Sequence, residues 1–506
     1  MSIRKSGILL HPTSLPGRFG IGDLGPAAYH FVDLLVHMGQ QCWQVLPLSP
    51  TDAAHGHSPY HSTSAFAGEP LWISPRKLLE QDWLEPADLS AVPSFSAQQI
   101  DFPQVIAFKE TLLEKAFARF EDGKQRAAVA RFARRNAWLR DVALFQVLER
   151  QFGAPWPQWP SPLRDRRPSA LEDACHRFRL ELRRAVFRQY LFFDQWRTLK
   201  RYANRRGVHI IGDLPIYLPF HSADVWCHPE GYKLRDDRTP SAVSGVPPDY
   251  FSETGQRWGH PLYDWRVHAQ TGFQWWKRRI AHNLKQFDRI RIDHFRGWIA
   301  CWEVPAEAAT AVDGKWSPAP GVQLLEALER HFPCLPLIAE DLGTIDADVR
   351  EAMARFHLPG MRVLLFAFGD DFPHGAFLPH QYPRNTVVYT GTHDNNTVRG
   401  WYRTEAGAAE RARLAQYLGR RPTQDAVHWD MIRLALGSVA DTVVIPLQDI
   451  LGLDETARMN HPGRAGRHWR WRAPPDLLPP DVVRRMAALT HTYGRFPARE
   501  QRAASY

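Results

Sequence analysis

Short continuous apolar runs recur along this chain, each separated from the next by a segment of helical period. Residues 7–10, 42–46, 208–211, 289–292, 337–339, 362–366, 386–389 and 443–445 read as eight buried strands. Between them, apolar residues fall on one helical face. Phe31, Leu34, Leu35 and Met38 follow Pro26 and precede Gly39, and residues 181–204, 322–331, 346–356 and 425–436 show the same spacing. A strand that is apolar on both faces must be covered on both, which is the condition of a parallel sheet wrapped in helices. Eight such units predict a closed (β/α)8 barrel, and no GxGxxG fingerprint supports the open, doubly wound alternative.

Two stretches break the repeat. Residues 51–185 read as mostly helical, with a Pro/Trp-rich piece APWPQWPSP, and residues 217–280 are rich in Gly, Pro, Trp and Tyr with little periodicity. Both follow strands, so a barrel places both on the face where barrel enzymes carry their chemistry. Residues 1–506 are therefore read as a single catalytic barrel with two insertion subdomains that wall a cleft. An apolar fraction of 44% fills a large core and excludes disorder for the bulk of the chain. The net charge of +9 comes from 63 Lys+Arg against 54 Asp+Glu, and reads as a solvated surface. Five scattered cysteines without CxxC spacing argue against a disulfide framework or a zinc cluster. No apolar run reaches the roughly 18 residues of a membrane span, and MSIRKSGILLHPTSLPG lacks the apolar region of a secretory signal. A cytoplasmic protein is expected.

The chemistry gathers at the strand ends. Four apolar runs finish in Gly212-Asp213, Arg291-Ile292-Asp293-His294, Ala339-Glu340-Asp341 and Gly391-Thr392-His393-Asp394-Asn395. Each carboxylate beside a buried strand needs a partner, hydrogen bonds or a raised pKa. Arg291 and Asp293 lie two apart on one strand and point the same way, so the guanidinium is expected to keep Asp293 ionised, as a carboxylate nucleophile requires. Glu340, at the next strand end, is then the group kept protonated. Two carboxylates in unequal environments are the equipment of glycoside cleavage.

The segments LLHPTSLPGRFGIGDLG, SPYHSTSAFAGEPL, GDLPIYLPFHSADVW, GVPPDYFSETGQRWGHPLYDW, RIDHFRG, AEDLG, GMRVLLFAFGDD, THDNNT, VIPLQDILGL and ARMNHPG, in this order, resemble glycoside hydrolase family 77, the 4-α-glucanotransferases or amylomaltases. The resemblance spans nearly the whole chain and is weakest at 75–185. It implies Asp293 as nucleophile with Arg291 as ion-pair partner, and Glu340 as general acid/base. Asp394 would bind the hydroxyls of the glucose at the cleavage site, with His393 beside it and Asp213 in support. Asp249, Tyr250, Phe251 and Trp258 would overhang the acceptor side, Ser58 and Tyr60 would contribute to donor binding, and Asn460 would lie near the site. The implied reaction transfers α-1,4-glucan segments to another glucan or to glucose with retention, without cofactor or metal. The two carboxyl groups are expected about 5–5.5 Å apart. A retaining hydrolase, or a non-catalytic glucan binder on the same fold, is the alternative.

The chain departs from the family pattern at His61, Glu69, His260 and Asn395, where the family usually has Gln, Asn, Asn and Asp. Two of these introduce histidine, which can titrate near neutrality and affect the pH optimum. The Arg-rich segment KQRAAVARFARRNAWLR reads as a basic amphipathic helix with a solvated side, since no nucleic-acid module accompanies it. His11, His57 and His61 near Asp52 match no standard ligand spacing and read as cleft or surface histidines. Trp156 and Trp159 are read equally as packing of the insertion or as a secondary glucan platform.

Overall fold

The computed structural model describes residues 4–123, 126–248, 252–463, 466 and 468–497. In chain order its strands are β1 (Lys5–Leu9), β2 (Cys42–Gln44), β3 (His209–Leu214), β4 (Ala242–Val246), β5 (Gln256–Pro261), β6 (Arg289–Ile292), β7 (Ala300–Pro305), β8 (Lys315–Pro318), β9 (Leu337–Ala339), β10 (Gly360–Val363), β11 (Thr386–Tyr389) and β12 (Thr442–Pro446). Eight of them form a parallel sheet in the order β10-β11-β12-β1-β2-β3-β6-β9. At the seam between β9 and β10, Ala339 N–H donates to Pro359 O at 2.9 Å. The Asp341 carboxylate continues the bridge by accepting from Met361 N–H at 2.6 Å. The sheet thereby curls into a (β/α)8 barrel, whose core includes the fully buried Ile8, Trp43, Ile290, Ile292, Val387, Val388, Val443 and Val444.

All eight barrel strands overlap the apolar runs that predict them, and two differ in ways that bear on the site. The sixth begins at Gly360, and Leu364–Phe366 is a 3-10 turn rather than strand. The third runs on through Asp213 and Leu214, so Asp213 projects from the sheet itself. The sequence reading misses a second sheet, antiparallel, in the order β5-β4-β7-β8. Its strands are short, and the half-buried β5 (QRWGHP) and β8 (KWSP) contain the Gly and Pro that normally interrupt strands.

Residues 102–177 form helices Phe102–Asp122, Arg126–Arg135, Trp138–Phe152 and Pro168–Arg177, leading into the long helix Arg179–Arg205. Phe187 of the long helix stacks on Phe120 at 4.6 Å between ring centroids. The expectation of a mostly helical insertion fails for residues 51–101, where short pieces such as Pro70–Trp72 and Pro75–Glu80 interrupt irregular chain. That stretch is tied down by side-chain hydrogen bonds instead, as from the Gly68 and Ser74 amides to Gln189 and Gln195 of the long helix. The Arg-rich helix buries Val129 and Phe132 and turns Arg126, Arg131, Arg134 and Arg135 to solvent, as its pattern predicts. Trp156 and Trp159 are buried, with their indole N–H groups on Phe220 O and Ala154 O, so they pack the insertion and offer no platform.

The opposite face of the barrel is held by two arginines that, among the described residues, have no carboxylate partner in hydrogen-bond contact. Arg495 donates to Leu436 O, Lys5 O, Ser438 O and Ala440 O. Arg4 donates to Leu436 O, Ser438 O and Tyr493 O. The Leu436, Ser438 and Ala440 carbonyls lie at and beyond the end of helix Val427–Gly437, where carbonyls lack helical partners and the dipole favours a cation. Burial pushes Arg495 down to about 9, so it still enters neutral solution charged. Arg495→Met strands these carbonyls and is expected to cost about 3 kcal/mol in chemical denaturation. Turnover of the folded fraction should be unchanged, because the bond network lies on the face away from the catalytic strand ends.

Candidate active site

The strand register builds the site. Asp213 of β3 pairs with Arg291 of β6, and Ile292 pairs with Ala339 of β9. Asp293 and Glu340 therefore leave adjacent strands at the same level. Their amides continue the ladder, Asp293 N–H on Leu214 O at 3.0 Å and Glu340 N–H on Ile292 O at 3.1 Å. Side chains two apart on a strand share a face, which brings Asp213, Arg291 and Asp293 together.

Arg291 is the centre of this group. Its Nη1 donates to both Asp213 oxygens and to Asp293 Oδ1, all at 2.8 Å, while Nε contacts Met361 Sδ at 3.4 Å. Burial opposes its charge, but Asp213 and then Asp293 outweigh burial and raise its pKa, so the guanidinium is always charged. Tyr60 O–H donates to Asp213 Oδ2 at 2.8 Å. Burial, reinforced by Asp293, pushes the Asp213 carboxyl up. Two carboxylates thus share one cation, and Asp293 is the one left partly open to solvent, with 28% of its side chain exposed against 0% for Asp213.

Glu340 occupies a different environment. Its Oε2 accepts from His294 N–H at 2.7 Å and its Oε1 from Leu342 N–H at 2.9 Å. Burial pushes its carboxyl up to about 7; repulsion from Asp293 adds to the shift, while Arg291 and the two amides oppose it. The His294 amide reaches Glu340 because His294 adopts a left-handed backbone with φ 49°, uncommon for a residue with a Cβ. Trp258 closes over this turn, its ring edge-on to His294 at 4.8 Å. Residue type and spacing give His294 no role, although it stands between Asp293 and Phe295 in RIDHFRG. A strained φ has no signature in composition or spacing.

The loop after β11 completes the cluster. His393 Nε2 lies 3.3 Å from Asp394 Oδ2, and Asn460 Nδ2 donates to Asp394 Oδ1 at 2.6 Å. Burial would raise Asp394, but His393, by charge and hydrogen bond, and Asn460 hold it down at about 2. Arg458 donates to Asp394 O, and the Asn460 amide to His393 O, so the 458–460 segment grips the loop from outside. Tyr60 stacks on His393 at 5.1 Å with the rings 12° apart. Ser58 is buried and its Oγ accepts from the Tyr60 amide at 3.3 Å, so it shapes the turn that presents Tyr60. Asp213, Arg291, Asp293, His393, Asp394, Tyr60 and Asn460 are thus linked by contact, and Glu340 and Trp258 join them through His294. Asp249, Tyr250 and Phe251 lie outside the described residues.

The expectation that the two introduced histidines titrate near neutrality is corrected. Burial pushes His61 down to about 4 and holds His260 well below its ordinary value, and the neutral rings pack together at 4.7 Å. Glu69 is buried and accepts from Thr51 and Leu71 amides, and Asn395 Oδ1 accepts from the Thr392 amide and hydroxyl. Among the described residues, no group of three or more His, Cys, Asp or Glu is arranged to hold a metal ion. No helix among them is long and apolar enough to cross a membrane.

Removing the shared cation tests this arrangement. Arg291→Met leaves two facing carboxylates without compensation and should destabilise the fold by about 3–5 kcal/mol. Adding Asp213→Asn should recover much of that loss in thermal unfolding without restoring turnover. Equal stability of the single and double variants would contradict the charge balance described.

The family model of glycoside hydrolase family 77, described as 4-alpha-glucanotransferase, matches residues 10–477. The 4-alpha-glucanotransferase of Thermus thermophilus is 46% identical over 503 residues, covering 97% of this chain and 99% of that one. That of Aquifex aeolicus (strain VF5) is 46% identical over 475 residues, covering 94% and 96%. Among solved structures, an amylomaltase from Streptococcus agalactiae in complex with acarbose aligns with a TM-score of 0.94 at 35% identity, covering 98% of this chain and 100% of that one.

Proposed function

The chain belongs to glycoside hydrolase family 77 and acts as a 4-α-glucanotransferase; on that premise we propose that Asp293, Glu340 and Asp394 carry the reaction. The observation that supports this assignment is the contrast between two carboxyls on adjacent strand ends. Asp293 lies on a permanently charged guanidinium, and Glu340 is lifted by burial to about 7.

Asp293 attacks the anomeric carbon of an α-1,4-linked glucose while Glu340 gives its proton to the departing oxygen. The bond to the leaving glucan breaks as the ester to Asp293 forms, with inversion. Esterification removes the Asp293 charge, one of the contributions that raise Glu340. Glu340 therefore ionises more readily at the step where it must act as base. It then takes the proton from the 4-hydroxyl of an acceptor glucan or glucose, which attacks with a second inversion, so the α-configuration is retained. Asp394, held ionised by His393 and Asn460, accepts hydrogen bonds from donor-sugar hydroxyls, bonds that strengthen in the transition state. Asp213 and Tyr60 fix Arg291 and His393 below that sugar.

Segment 51–62, through Ser58 and Tyr60, and the 247–262 region, through Trp258, serve as walls of the cleft, the role proposed for the two insertions. An acceptor positioned between them competes with water by effective molarity. α-1,4-Glucans are the proposed donors and acceptors, glucose an alternative acceptor, and the cytoplasm the proposed location.

Incubation with maltotriose alone tests the reading. Glucose should appear with maltopentaose and longer chains while reducing ends stay constant; rising reducing ends would make hydrolysis the main reaction. Glu340→Gln should lower the rate by about 10²–10⁴-fold. Because the first step needs the acid form, kcat/KM for the donor should fall as pH rises through about 7.

A further inference from the structure

The VIPLQDILGL segment contributes no group to the cluster described above, yet its Asp449 is among the most buried carboxylates of the chain, at 1% exposure. It stands in the short helix Leu447–Ile450 directly after β12. Its Oδ2 accepts from Thr390 Oγ1 at 2.6 Å and its Oδ1 from the Val398 amide at 2.8 Å. Thr390 is the first residue after β11, and Val398 begins the helix Val398–Thr404. Residues 391–397 between them carry His393 and Asp394. A single carboxylate therefore fastens both ends of the loop that presents these two groups, and it lines the same pocket as His393, Asn396 and Arg458.

Asp449 is costly where it stands. Among the described residues no cation pairs with it, and burial pushes its carboxyl up to about 6 against the two hydrogen bonds. A neutral side chain of the same shape would avoid that cost. An apolar one accepts from neither donor, and an amide keeps both only if the Thr390 hydroxyl reverses from donor to acceptor.

We propose that Asp449 is a positioning residue for glucan transfer, setting the placement of Asp394 over the donor sugar by pinning Thr390 and Val398 to the end of β12. The inference rests on the role given to Asp394 above. Asp449 touches no reacting atom in this account. It acts through the loop, so its loss should appear in the transition state more than in ground-state binding.

The test compares Asp449→Leu, Thr390→Val, their combination and Asp394→Asn, with kcat and KM for maltotriose and thermal unfolding measured for each. A small displacement of a catalytic loop costs on the order of 10–100-fold. Asp449→Leu, which accepts from neither donor, should lower kcat by that factor with KM within about twofold, in the pattern of Asp394→Asn. Thr390→Val should lose part of the same factor, and the double variant no more than Asp449→Leu alone, since the two residues act through one contact. If Asp449→Leu does not fold, the kcat-against-KM split of Thr390→Val decides. Normal kcat with only a lowered unfolding temperature would make Asp449 a stability residue and overturn the proposal. So would additive losses in the double variant. Full activity in Asp394→Asn would instead remove the role of Asp394, and the proposal with it.

Discussion

One guanidinium organises this molecule's chemistry. Arg291 is buried at the mouth of a barrel, and its Nη1 lies within hydrogen-bond distance of two carboxylates, three oxygens in all. A buried cation of this kind is tolerated only with partners, and a buried carboxylate likewise. With two carboxylates against one cation, the cluster keeps an excess negative charge, and that excess falls on the side open to the cleft. Asp293, the more exposed partner, is the group poised to use it in attack on carbon. The same charge bears on Glu340 from the next strand and helps to keep its proton in place. Nucleophile and acid are thus set by one electrostatic arrangement and not tuned separately.

The barrel makes this arrangement possible by register. Parallel strands with paired residues Asp213 and Arg291, then Ile292 and Ala339, deliver side chains to one level without any loop having to find its place. Loops then add what strands cannot. The left-handed turn at His294 aims an amide at Glu340, the 391–397 loop brings His393 and Asp394, and the 51–62 segment lays Tyr60 across them. Two of these loops are fastened by polar contacts, the 391–397 loop by Asp449 on Thr390 and Val398 and the 51–62 segment by Glu69 on Thr51. The contrast is between a rigid sheet that sets the charges and pinned loops that set the substrate contacts.

The barrel was legible because its strands are apolar on both faces and recur between helical periods, a pattern with few other solutions. The strand-end carboxylates were legible for the same reason, since an acid after a buried run such as LIA in β9 needs an explanation. The small antiparallel sheet was not, because its short strands carry Gly, Pro and Trp and show no alternating apolar pattern. Nor was the placement of His294, which depends on one backbone angle. The pH behaviour expected of His61 and His260 was misjudged because residue type gives an intrinsic pKa, whereas burial decides the actual one. Asp449 went unmarked for a related reason: a carboxylate after the β12 run looks like its neighbours until its two donors are seen to bracket another loop.

The central claim is that the charge on Asp293 helps to hold Glu340 protonated until the ester forms. The direct measurement is a carboxyl carbon NMR titration of Glu340 in the native protein and in Asp293→Asn, an isosteric replacement that removes the charge as esterification does. Glu340 is expected to titrate near 7 in the native protein and distinctly lower in the variant. A Glu340 that titrates at the same pH in both proteins would contradict the account, and would leave burial alone responsible for the acid.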